Sequence, residues 1–95
     1  MARRSFFAAG EAGVEAVEPS PGDLVELGLK YCIGRDVELD LIEAHKWFNL
    51  AARRGNRQAR VYRSEISEEM TKQEIFKAQR MAREWLRLHS GAVLH

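Results

Sequence analysis

The chain predicts an all-α fold, four helices arranged as two antiparallel helical hairpins, on three observations. Apolar residues recur at i, i+3, i+4 and i+7 spacing over four separate stretches. Three of those stretches open on Ser, Asp or Thr with a carboxylate three residues later, the signature of a capped helix start. No stretch shows the alternating β-branched pattern of a strand. The connections are short, and short connections make consecutive helices antiparallel neighbours.

The first helix begins at "SPGD". Ser20 is the N-cap, Pro21 suits the first helical position, and Asp23 falls where a carboxylate complements the helix dipole. Leu24, Leu27, Gly28 and Tyr31 form its stripe, and Gly34 ends it. Asp40 caps the second helix, with Glu43 in the capping-box position, and Leu41, Ala44, Trp47, Phe48, Ala51 and Ala52 line one side until Gly55. The third helix is expected over residues 56–70, with Ala59, Tyr62, Ile66 and Met70 on one face. Thr71 and Glu74 open the fourth, whose stripe is Ile75, Ala78, Ala82, Trp85 and Leu86 and which is expected to fray near His89.

With 95 residues the chain is one domain at most. Residues 1–19 are rich in Ala, Gly and Glu without a sustained period and read as a flexible tail; residues 20–89 form the helical domain, and 90–95 a frayed end. Arg3 and Arg4 ahead of Phe6 and Phe7 resemble the start of an export signal, but Glu11, Glu15 and Glu18 break the apolar run that such a signal requires. No stretch has the roughly 18–20 apolar residues of a membrane span, so no membrane role and a cytoplasmic location are expected. Cys32 is the sole cysteine, which rules out an internal disulfide, and its apolar helical neighbours make it a small buried hydrophobe.

Gly28 inside a helix costs about 1 kcal/mol relative to alanine. That penalty is tolerable where a bulky neighbour needs the space, and Trp47 and Phe48 are the candidates. Trp47→Ala is accordingly expected to unfold the domain. Leu27, Gly28, Tyr31, Gly34, Asp40, Ala44, Trp47, Phe48, Ala51, Ala52, Gly55 and Ala59 together make a pattern that resembles one unit of the Sel-one-like repeat, a relative of the tetratricopeptide repeat. The resemblance covers about 36 residues, from 24 to 59. Asp36 stands where the family loop has a second glycine, and Asp tolerates the left-handed conformation better than most residues. Residues 56–89 keep only a worn second unit: Ala59, Tyr62, Ala78, Ala82 and Trp85. The resemblance implies a short α-solenoid that works as a protein-interaction scaffold. Its groove would be lined by exposed positions of the first and third helices, here Glu26, Lys30, Arg60 and Arg63.

No catalytic residues, metal ligands or cofactor are expected. A second histidine four positions after His45 would be needed to share a metal, and residue 49 is asparagine. His45 therefore reads as a helix-surface residue, while His89 and His95 lie at the frayed end. Carboxylates such as Glu68 and Glu69 are adjacent and diverge on a helix.

Two surfaces are candidates for a partner. Val25, Leu29 and Ile42, with Leu39 and Leu50, are apolar positions outside the internal stripe, on the flank where a preceding repeat would stack. Another protein, or a second copy forming a homodimer, would cover them. The second surface is basic. Arg53, Arg54, Arg57, Arg60 and Arg63 are followed at helical spacing by Lys77, Arg80, Arg83 and Arg87. Such a face suits an acidic protein or nucleic acid; alternatively Glu65, Glu68, Glu69 and Glu74 neutralise it along and between helices. The favoured function is a non-enzymatic protein–protein interaction module, an adaptor or accessory subunit. The alternative is nucleic-acid binding through the arginine-rich face, and a net charge of +1 does not decide between them.

Overall fold

In the computed structural model, which describes residues 20–89, every regular element is an α-helix: α1 Pro21–Ile33, α2 Leu41–Arg53, α3 Arg57–Ser67 and α4 Lys72–His89. The tail at residues 1–19 and the end at residues 90–95 lie outside the described residues, as do Phe6, Phe7 and His95.

Each helix starts where its local chemistry dictates. At α1 the capping box is closed both ways, Asp23 N–H donating to Ser20 Oγ and Ser20 N–H to Asp23 Oδ2, each at 3.1 Å. The same reciprocal pair opens α4, with Thr71 N–H donating to Glu74 Oε1 at 2.9 Å and Glu74 N–H to Thr71 Oγ1 at 3.0 Å. Asp40 caps α2 by accepting from Ile42 and Glu43 N–H, but Glu43 does not return the bond. The Asp40 N–H already donates to the Tyr31 carbonyl at 2.9 Å. That frees the Glu43 carboxylate to accept from Trp47 Nε1 at 3.1 Å and to pair with Lys46 at 3.1 Å. Asn56 caps α3 through Ala59 N–H at 2.8 Å.

The helix ends use left-handed residues. Gly34 has φ 75° and closes α1, with Arg35 N–H reaching back to the Lys30 carbonyl. Asp36, at φ 65°, takes the left-handed conformation expected of it in the loop. Past α2, Gly55 N–H bonds Ala52 O and Asn56 N–H bonds Ala51 O, a Schellman closure around Gly55 at φ 95°. The third helix stops at Ser67, three residues short of the expected Met70. Glu68, Glu69 and Met70 each bond a carbonyl three residues back, so the chain tightens into a turn there. Two adjacent carboxylates at the negative end of a helix also oppose its continuation.

The core consists of Leu24 from α1; Ala44, Phe48, Leu50 and Ala51 from α2; Ala59 and Ile66 from α3; and Ala78 and Ala82 from α4. Helix α2 is central: α1, α3 and α4 each pack along it, whereas α3 and α4 do not pack closely along one another. Phe48 is fully buried and is the residue that Gly28 accommodates. A Cβ at position 28 would come within 3.0 Å of three carbons of its ring. On its other side the Phe48 ring meets Tyr62 at 5.2 Å between centroids. Trp47, by contrast, is only half-buried, edge-on to Trp85 at 5.9 Å with Lys46 over its face at 4.2 Å. The expectation that Trp47 carries the core therefore passes to Phe48.

His45 differs most from its sequence reading. It is 2% exposed, not a surface residue, because α3 covers it. Ser67 Oγ donates to the Arg63 carbonyl at 2.7 Å, so it accepts from His45 Nε2–H at 3.1 Å. His45 Nδ1 is then a buried acceptor without a partner among the described residues. Burial, and secondarily the Arg63 guanidinium, push the imidazole below its usual range. A base with a depressed folded pKa stabilises the fold fully above its unfolded value of about 6.5, and that stability is lost as pH falls below it. Denaturant titrations at about pH 7.5 and about pH 5.5 should show this loss in the wild type and a smaller one in His45→Gln. Equal losses in both proteins would remove His45 as the source.

Cys32 is half-buried on α1, and burial raises its thiol, with Glu69 and Glu65 adding to the effect. That is the opposite of an activated thiolate.

Candidate anion-binding cleft between α2, α3 and α4

Because α3 and α4 both lean on α2 rather than on each other, an open cleft of about 250 Å³ is left between them. Asn49 and Arg53 of α2, Arg63 of α3, and Gln79, Ala82, Arg83 and Leu86 of α4 line it. Helical periodicity explains the convergence. Asn49 and Arg53 are one turn apart on α2, as are Gln79 and Arg83 on α4, so each pair lies on a single edge of its helix. Ala82, 2% exposed, forms part of the floor.

The electrostatics are one-sided. Three arginines from three different helices line this cleft, and no Asp or Glu does. Among the described residues neither Arg53 nor Arg83 forms an ion pair. Arg63 is half-buried and donates from Nη1 to Asn49 Oδ1 at 3.3 Å. That bond uses the amide oxygen and leaves the Asn49 NH2 group as a neutral donor beside the arginines. Arg63 is further tied through its own carbonyl to Ser67 and so to buried His45, which fixes the backbone from which it projects.

The other basic residues do not join this set. Arg57 and Arg80 are exposed outside the cleft, and Arg87 is paired with Glu84 one turn away on α4. Arg60 lies on another side of α3, in a shallow groove with Val61, Ser64, Glu65 and Glu68. The predicted basic face of Arg53, Arg57, Arg80, Arg83 and Arg87 is thus not continuous. Nor is it neutralised as the alternative supposed: no ion pair joins Glu65, Glu68 or Glu69 to an arginine among the described residues, and Glu74 is spent on the α4 cap.

The groove positions implied by the resemblance are also dispersed. Glu26 is exposed and Lys30 half-buried on α1, while Arg60 and Arg63 occupy separate depressions. The apolar flank is smaller than its sequence suggests. Leu50 is 1% exposed and belongs to the core, and Val25 and Leu29 are half-buried against that core. Ile33 and Leu39 stay more than half exposed, and Ile42 is half-buried.

Among the described residues no group of His, Cys, Asp and Glu could hold a metal ion, and no helix is long and apolar enough to cross a membrane. Asn49 and Gln79 were not legible as site residues. The one signal available is their place one turn before Arg53 and Arg83, which becomes meaningful only once α2 and α4 are known to be neighbours. Comparison of the chain with protein-family models, with curated proteins and with solved structures gives no match.

Proposed function

We propose that the chain is a non-enzymatic protein-interaction module, a short helical scaffold of Sel-one-like type, and that it holds an acidic segment of a partner protein in the α2–α3–α4 cleft. The observation that carries this reading is the convergence of Arg53, Arg63 and Arg83 from three helices on one cleft that no carboxylate lines. Like charges brought together without counter-ions raise the energy of the free protein, and an anionic partner relieves it. The Sel-one-like reading is supported by Gly28 seated against Phe48 and by the left-handed residues at Gly34 and Gly55. Ile33 and Leu39 offer a separate apolar contact through which an adaptor could engage a second protein.

Nucleic acid is the less well supported ligand. Its backbone repeats a charge every few ångströms and rewards a continuous basic track, whereas the arginines here concentrate in one cleft and Glu65 and Glu68 share the groove of Arg60. No aromatic ring lines the cleft to stack a base.

A fluorescent glutamate-rich peptide, titrated at low and at moderate salt, tests the reading. Binding is expected to weaken with salt and to fall at least about tenfold in the Arg53→Gln/Arg83→Gln double variant, since hydrogen bonds to charged groups are worth about 1.5–3 kcal/mol each. Both positions are solvent-exposed, so the variant is expected to fold. Binding that ignores the two substitutions ends this proposal, as does failure of both this peptide and a phosphorylated one to bind. Preferential binding of a single-stranded oligonucleotide would replace it with the nucleic-acid reading.

A further inference from the structure

The three guanidiniums set the charge and shape of what the cleft can hold, and these differ between a carboxylate and a phosphoryl group. A carboxylate carries one negative charge and two oxygens in a plane. A phosphorylated side chain carries about −1.5 to −2 charges and three terminal oxygens directed to different sides. Arg53, Arg63 and Arg83 line the cleft from three separate helices. A single carboxylate would leave most of that positive charge unmatched, because the lining contains no other acid. A phosphoryl group matches the charge more nearly and can accept from more than one guanidinium at a time.

The neutral part of the lining fits the same ligand. Asn49 has its oxygen engaged by Arg63 and keeps its NH2 group for an acceptor, and Gln79 adds a second side-chain amide. At about 250 Å³ the cleft has several times the volume that a water molecule occupies, about 30 Å³. It thus has room for a phosphoryl group together with part of the residue that bears it. Half-buried Leu86 gives that residue's carbon atoms a small apolar contact.

We infer that the cleft is a phosphoryl-binding site, and that the segment it takes from the partner protein carries a phosphorylated serine or threonine. This rests on the acidic-partner reading and narrows it: the partner is held when modified and released when the modification is removed. No covalent step occurs on this chain. Arg63 is the anchoring donor, its position fixed by Asn49 and, through its carbonyl, by Ser67. Arg53 and Arg83, without ion-pair partners among the described residues, close on the phosphoryl group from α2 and α4.

The test compares three peptides on one alanine–glycine framework, carrying phosphoserine, glutamate or serine at the same position. Each is titrated calorimetrically into the full chain, alongside the glutamate-rich peptide. The phosphoserine peptide is expected to bind at least about tenfold more tightly than the glutamate peptide, with the serine peptide weakest. Inorganic phosphate should compete for the site, whereas acetate at equal concentration should not. In Arg53→Gln/Arg83→Gln the advantage of phosphoserine over glutamate should shrink to what Arg63 alone supplies, while the circular dichroism spectrum stays helical.

Equal affinity for phosphoserine and glutamate overturns the phosphoryl inference. It leaves the acidic-partner reading standing, provided that the glutamate-rich peptide still binds. A phosphoserine preference of undiminished size in the double variant also overturns it, since Arg53 and Arg83 would then take no part in recognising the phosphoryl group. Failure of both the phosphoserine and the glutamate-rich peptides ends both proposals together.

Discussion

Phe48→Ala should destabilise the domain by about 3–5 kcal/mol, the range for deleting a fully buried aromatic ring. The ring is 0% exposed, and it meets both Gly28 of α1 and Tyr62 of α3. Removing it leaves a cavity where α1, α2 and α3 join, and the helices close on that space only in part. A domain this small has about 4–10 kcal/mol of total stability, so the variant should be largely unfolded or close to it at 37 °C. Chemical denaturation followed by circular dichroism gives the value. Trp47→Ala is the informative comparison. Trp47 is half-buried at the margin of the core, where it also meets the Trp85 edge, the Glu43 carboxylate and the Lys46 ammonium. Its loss should be clearly smaller. A larger loss at Trp47 than at Phe48 would contradict this assignment of the core.

Gly28→Ala is expected to destabilise as well, against the usual rule for helices. Alanine in place of glycine mid-helix ordinarily gains about 1 kcal/mol. Here the added methyl would come within 3.0 Å of three carbons of Phe48, a ring that is itself fully enclosed. Overpacking of this kind costs about 1–3 kcal/mol and outweighs the gain in propensity. The double variant Gly28→Ala/Phe48→Leu separates the two effects. Leucine lacks the ring atoms that collide, so the two changes together should cost less than their sum by about 1 kcal/mol or more. Strict additivity, or a stabilised Gly28→Ala, would show that the contact does not decide the residue at position 28.

The parts of the fold that were legible in the sequence are those set by chemistry within a few residues. Ser20 with Asp23 and Thr71 with Glu74 are four-residue devices, and both close as expected. Gly34, Asp36 and Gly55 announce left-handed turns in the same local way. Legibility failed where two adjacent residues compete for one place. Trp47 and Phe48 lie 100° apart on the helix, both within the width of an apolar stripe, and periodicity cannot say which enters the core. The Glu43 capping box failed because Tyr31, nine residues away, had already taken the donor it would have served.

The burial of His45 is hidden from periodicity for a related reason. Its neighbour Ala44 falls in the stripe and His45 beside it, but α2 packs against three helices rather than one. The partner that makes its burial tolerable, Ser67, is 22 residues away. The arginine cleft has the same origin. Its residues are individually visible, but which three converge depends on α3 and α4 both docking on α2. That choice is made by packing and not by spacing.

The central position of α2 has a consequence for how the domain comes apart. In an extended repeat array each unit leans on the next, and the ends can open while the middle stays closed. Here the three outer helices share one support. Any of them can lift away alone, exposing its own amides to exchange with solvent, while the other two still shield α2. The amides of α2 itself become accessible only when several contacts are lost at once. The molecule therefore opens from the rim inward, and the slowest protons to exchange with deuterium mark a single helix at its axis.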